Sequence, residues 1–169
     1  MARARADRRS PLTGRTPSRG ETVVGRGTRV ILARCTAAEP DLERLEIRRS
    51  GDGAVLGSVE ISRIARGNFQ SAYLGYAILA ERRGQGYMTE ALQLALRHAF
   101  RSLRLHRVEA NVEPGNEASL ALVRRAGFIR EGLSRRYLKI GGRWRDHERW
   151  ALLEEDWRPP ARSARRGRD

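Results

Sequence analysis

A chain of 169 residues with a formal charge of +14 is long enough to bury one core and too short for two ordinary domains. No apolar run reaches the ~18 residues that a membrane-spanning helix requires. The single cysteine, Cys35, excludes an internal disulfide and suits a reducing cytoplasm.

Residues 1–28 place Pro11, Pro17 and four glycines among arginines and read as a flexible arm, with no apolar stretch of the kind a secretory signal needs. Residues 158–169 read as a basic disordered tail. The two ends hold most of the charge: the net is +6 over 1–49 and +4 over 158–169, against +4 over the whole of 50–157. Such tails are either solvated or a weak contact for RNA, and the folded domain is expected over 29–157.

Within that domain, "RVILAR" (29–34) predicts a strand, whereas "EPDLERLEIRR" (39–49) fits neither the helical nor the strand period. Residues 54–64 alternate as a strand. Residues 71–79, "SAYLGYAIL", are aromatic and aliphatic and predict another, with Gly75 as a candidate bulge. After Gly84 and Gly86, Ala91, Leu92, Ala95, Leu96, Ala99 and Phe100 form the apolar stripe of a helix. "RVEANV" (107–112) is a strand, 117–126 a second helix stopped by Gly127, and two strand-like runs flank Gly141-Gly142 as a hairpin. The order β, β, β, α, β, α, β, β describes a mixed α/β (α+β) domain with a mostly antiparallel sheet.

Glycines ahead of a helix let backbone approach a ligand, and a helix start offers unpaired N–H groups, so "RRGQGYM" is a candidate anion site. A third glycine at dinucleotide spacing is missing, as is the Lys-Ser or Lys-Thr of a nucleotide P-loop. The alternative is a plain strand-to-helix turn.

Arg83-Gly84-Gln85-Gly86-Tyr87-Met88 resembles the acyl-CoA diphosphate loop of the GNAT N-acetyltransferases, Q/R-x-x-G-x-G/A, with Met88 in place of the small last residue. "RGNFQSAYLGY", "GQGYMTEAL", "AFRSLRLHRVEANVEPGNEASLALVRRAGFIREGLSRRYL" and "GGRWRDHERWALLEEDW" follow in unbroken order over roughly 54–157 and are similar to the RimJ/RimL-type branch, the ribosomal-protein alanine N-acetyltransferases. The resemblance implies that strand 73–79 parts from strand 107–112 and that the pantetheine arm of acetyl-CoA lies between them. Backbone groups of Tyr76, Ala77 and Ile78 would pair with that arm, and amides from Gly84 through Thr89 would hold the diphosphate. Arg83 would add charge. Asn116 and Ser119 match the family's Asn-x-x-Ser, where Asn116 is also a natural helix cap.

Acetyl transfer to an amine needs a neutral amine, a stabilised oxyanion and a proton for the departing thiolate. At pH 7 on the order of 10–20% of a protein α-amine is neutral, against less than about 0.1% of a lysine, so a site without a strong base suits α-amines. Backbone N–H groups at a bulge near Gly75–Ala77 are the expected oxyanion donors.

By the resemblance, Ser119 stands at a proposed catalytic position, while Val123 and Arg136 occupy places where relatives carry Tyr and Glu. Asn111 lies near the place of a strand Glu in other branches. Glu109, two residues earlier and on the same face, acts either as a base through water or as a surface carboxylate. Tyr137 is either a proton donor or a packed aromatic. His106, Asp146 and His147 read as hairpin structure or acceptor contacts. The three histidines lack ligand spacing, so no metal is expected, and Cys35 has no partner for covalent catalysis.

Relatives normally place two helices between their first and second strands, walling the acceptor side, and here about twenty residues stand there. A short acceptor half fits a frame-disrupted start, an exposed acceptor such as a protein N-terminus, or a coenzyme-binding module without turnover. The functions in contention are protein N-terminal acetylation, acetylation of a small amine such as an antibiotic or polyamine, and a non-catalytic coenzyme- or RNA-binding role. Localisation is expected to be cytoplasmic and the state monomeric or homodimeric.

Overall fold

The computed structural model describes residues 22–34 and 39–159. The Arg-rich residues 1–21, Cys35 and the tail from 160 onward lie outside the described residues. Eight strands form one sheet: β1 (Thr22–Arg26), β2 (Val30–Arg34), β3 (Leu42–Arg49), β4 (Val55–Ala65), β5 (Ser71–Ile78), β6 (Arg107–Val112), β7 (Ile129–Ile140) and β8 (Arg143–Leu153). Helix α1 (Tyr87–Arg97) joins β5 to β6, and α2 (Glu117–Arg125) joins β6 to β7. The spatial order is β1-β2-β3-β4-β5-β6-β8-β7, antiparallel throughout except for β5 with β6. Parallel neighbours need a crossover, which α1 supplies.

Two strands were not expected. Thr22–Arg26 falls inside the stretch read as a flexible arm. Thr22, Val23, Gly25 and Arg26 pair with β2, and Val24, at the register shift between them, packs against the core, so local β propensity prevails over the surrounding glycines and arginines. Leu42–Arg49 is also a strand. Glu43 interrupts its apolar alternation at a buried position, where Arg34 grips the carboxylate through two bonds of 2.7 Å. Charge at a core-facing site hid the period. Between β2 and β4, where the two acceptor-side helices were expected to be shortened or missing, the described residues hold strand β3 and no helix.

The core lies between the sheet and the two helices. Ala91, Leu92, Ala95 and Leu96 of α1 are fully buried against Leu32, Leu45, Ile47 and Ile61 of the sheet. Each leucine so buried contributes roughly 1.5–3 kcal/mol, which fixes α1 and with it the loop at its start. Past Arg97 the helix widens into a π turn, His98–Ser102, before β6.

A chain starting at Arg29 lacks β1 and the burial of Val24. Its melting temperature is expected to fall by roughly 4–8 °C, a loss on the order of 2 kcal/mol. An unchanged thermal melt would show that β1 contributes nothing.

Candidate active site

Strands β5 and β6 pair only over Ser71↔Arg107, Ala72↔Val108 and Tyr73↔Glu109. Beyond Tyr73 they part, while β5 remains paired to β4 as far as Ile78. Backbone groups alternate along an antiparallel strand. The Leu79 N–H donates to Leu56 O at 2.9 Å, and the Ala77 carbonyl faces Gly57 so closely that a Cβ there would sit 2.2 Å from it. Ala77 therefore turns its N–H and C=O toward β4, and Tyr76 and Ile78 turn theirs into the gap. This corrects the expectation that all three present backbone to the gap. Gly75 is no bulge either: the register from Gly57↔Ile78 to Ser62↔Tyr73 is unbroken. The irregularity lies in β4, between Ser62 and Ala65, where Arg63 has a φ of 53°. Donors for a developing oxyanion on this edge would come from the parting of the strands.

The gap opens into a cleft of about 940 Å³ lined by Tyr76, Ala77, Ile78, the loop before α1 and the first turn of α2. Gly84 and Gly86 have φ values of 72° and 78°, a left-handed conformation that side chains disfavour. Gly86 is the N-cap of α1 and offers no side chain to its first turn. Among the described residues, nothing accepts a hydrogen bond from the N–H groups of Gly84, Gln85, Gly86, Tyr87, Met88 or Thr89. Six unpaired donors at a helix start form an anion cradle. Met88 packs partly against the core and also contributes to the cleft wall. Arg82, Arg83, Arg125 and Arg145 also line the cleft, and none of them pairs with a carboxylate among the described residues.

Across the gap, Asn116 caps α2, its Oδ1 accepting from the Ser119 N–H at 3.2 Å. The Tyr76 hydroxyl is buried without a hydrogen bond. Burial pushes this phenol up, and the neighbouring Ser119 hydroxyl offsets part of the shift. Ser119 is thus a side-chain hydroxyl at the cleft wall, beside the Tyr76 hydroxyl.

The other candidate residues lie elsewhere. Glu109 is no surface carboxylate: it is 9% exposed, and Arg107 Nε donates to it at 2.9 Å. Asn111 is buried on the same face. Tyr137 lies outside the cleft, its ring 6.0 Å from that of the fully buried His147. It also stands beside Tyr73, whose phenol is pushed up to about 12 by hydrogen bonding to Tyr137 and by burial. Tyr137 and Glu109 therefore meet at the end of the β5–β6 pairing, through Tyr73, on the opposite face from Ser119. Asp146 accepts from the Arg136 N–H at 2.7 Å and supports the kink of β7, where Arg136 has a φ of 46°. His106 is exposed, 3.5 Å from Glu155.

Sequence reasoning missed Arg82, Arg125 and Arg145, whose positions depend on three different elements, and Tyr73, three residues before Tyr76 on the same strand. It also missed Arg29, whose side chain reaches the glycine loop from the β1–β2 turn: Nη2 donates to the Gln85 carbonyl at 2.7 Å. Among the described residues no group of His, Cys, Asp and Glu is arranged to hold a metal ion, and no helix is long and apolar enough to cross a membrane.

The family description "Acetyltransferase (GNAT) domain" matches residues 15–129. The [ribosomal protein uS5]-alanine N-acetyltransferase of Escherichia coli (strain K12) is 43% identical over 105 residues, covering 62% of this chain and 54% of that protein. The structure of Mycobacterium smegmatis RimJ in complex with CoA-disulfide superimposes with a TM-score of 0.65 at 38% identity, over 68% of this chain and 54% of that one. A chimera of the spermidine N-acetyltransferase SpeG from Vibrio cholerae and hSSAT superimposes with a TM-score of 0.64 at 26% identity, over 69% of each chain. The chain spans little more than half the length of the curated relatives it matches.

A Cβ at Gly84 would meet nothing within 4 Å, so Gly84→Ala isolates the cost of the left-handed backbone. It is expected to lower stability by about 1–2 kcal/mol in urea denaturation. No loss would mean that the loop does not hold this turn.

Proposed function

The chain belongs to the GNAT acetyltransferases, and we propose that it transfers the acetyl group of acetyl-CoA directly to an amine, with the N-terminal amine of a ribosomal protein as its acceptor. The observation that carries this reading is the junction of two features: a gap edged by the free backbone of Tyr76 and Ile78, ending at six unpaired amides. An extended amide-bearing arm with a diphosphate at one end has that shape and that pattern of donors and acceptors.

In this reading Tyr76 and Ile78 bind the pantetheine arm through their backbone, and Gly84–Thr89 bind the diphosphate. Arg83 and its cationic neighbours attract the anion to the cleft. Asn116 fixes the start of α2 and so the position of Ser119, whose hydroxyl donates a proton to the sulfur as the C–S bond breaks and regains one, through water, from the amine nitrogen that has formed the C–N bond. Glu109 is engaged by Arg107 and is not among the residues lining the cleft, so it is a weaker candidate for the base than the sequence suggests. An α-amine, already neutral on the order of 10–20% at pH 7, has least need of one.

A protein terminus also suits the short acceptor half, since the described residues place no helix over that side. The net charge of +4 over residues 50–157 speaks weakly against a polycation such as spermidine. The likeness to SpeG makes spermidine the natural competitor in a test.

Acetyl-CoA at about a hundred times its Kd is expected to raise the melting temperature by roughly 5–10 °C. Gly86→Glu, which puts a carboxylate and a side chain at the cradle, should abolish the shift. An unshifted wild-type melt would overturn the coenzyme site, and a shift retained in Gly86→Glu would move that site off this loop. Mass spectrometry of a panel of N-terminal peptides, lysine peptides and spermidine incubated with acetyl-CoA is expected to show acetyl on peptide α-amines. Acetyl on spermidine alone would replace the acceptor assignment, and no product on any amine would leave a binding module.

A further inference from the structure

Arg29 sits in the β1–β2 turn, 56 residues from the loop it touches. Its Nη2 donates to the Gln85 carbonyl at 2.7 Å, its guanidinium lies 4.4 Å from the centroid of the Tyr87 ring, and its Nη1 stands 3.3 Å from where a Gly86 Cβ would be. Its own N–H donates to Glu90 Oε1 at 3.0 Å, which ties the turn to the first turn of α1. Gly27 makes this approach possible: a Cβ there would fall 2.1 Å from the same Glu90 oxygen. Arg29 is not among the residues that line the cleft. It grips the loop from behind.

The Gln85–Gly86 peptide is trans, so its C=O and N–H point in opposite directions. Fixing the carbonyl toward Arg29 fixes the Gly86 N–H away from it. Rotating this peptide turns ψ of Gln85 and φ of Gly86, and Gly86, left-handed and without a Cβ, tolerates the change unless something holds the carbonyl. A cation on the carbonyl also polarises the peptide and strengthens its N–H as a donor.

We propose that Arg29 is a positioning residue for the diphosphate site, locking the Gln85–Gly86 peptide so that the Gly86 N–H is presented to the anion. The inference rests on the acetyl-CoA reading above. It makes the amino-terminal hairpin part of the coenzyme site, not a remnant of the acceptor wall. The Arg29 guanidinium also lies beside the Tyr87 phenol and, together with Arg49, holds it below its ordinary value. The loop, the helix start and the turn thus share one buttress.

The test compares CoA with pantetheine, which lacks the diphosphate, by calorimetric displacement on the full chain. Wild type should prefer CoA, and Arg29→Met should reduce that preference roughly 10- to 100-fold, the loss expected of one charge-assisted bond. Arg29→Lys, which keeps a cation and a donor and gives a second variant if Arg29→Met does not fold, should recover part of it. An unchanged preference in both variants would overturn the inference while leaving the coenzyme site standing. Equal losses for CoA and pantetheine would overturn it too, by making Arg29 a residue of the fold alone. Wild-type protein that takes up no CoA would instead sink the reading on which the inference rests.

Discussion

Backbone polar groups must find partners, and this sheet leaves a set of them without any at its centre. Strands β5 and β6 hold together for three residue pairs and then separate. Everything beyond Tyr73 on that edge faces a cleft instead of a neighbour. Sheets usually leave such groups at an outer edge. Here the gap is flanked by a buried Tyr76 hydroxyl, a cationic rim and the uncapped start of α1. The helix cannot slide to close the gap, because Leu92 and Leu96 anchor it in the core. Rigid packing on one face thus maintains the unsatisfied backbone that the proposed coenzyme would pair with.

The amino-terminal hairpin gives the molecule its asymmetry. Where relatives are expected to carry helices, the described residues pass from β2 to β3 with no helix between. The hairpin instead reaches the glycine loop through Arg29 and Glu90. The half of the fold that would bind coenzyme is reinforced, and among the described residues no helix stands between β2 and β4 on the half that would enclose an acceptor. The proposed acceptor, a terminus on a larger protein, would bring its own bulk to exclude water.

Legibility in the sequence followed the range of the forces involved. The stripe of α1, the left-handed glycines, the Asn116 cap and the Gly141-Gly142 hairpin turn are local, and each could be read from neighbouring residues. β3 was obscured by Glu43, whose burial depends on Arg34 from another strand. β1 was obscured by its glycine- and arginine-rich surroundings, because its stability comes from pairing with β2. The supposed bulge at Gly75 assumed that a glycine in a strand marks an irregularity; the irregularity fell on β4, at Arg63. Ala77 was misassigned because the direction of a carbonyl depends on hydrogen-bond parity across strands. Tyr137 and Glu109 were grouped with Ser119 by family pattern alone, whereas the fold gathers them around Tyr73. Arg29 had no local trace at all.

Residue-by-residue amide shifts on titration with CoA test the central claim most directly. The account predicts that N–H signals of Gly84–Thr89, Tyr76 and Ile78 move in step to one saturating endpoint, while the Ala77 N–H, turned toward β4, moves far less. Shifts confined to other strands, or a spectrum unmoved at saturating CoA, would contradict it.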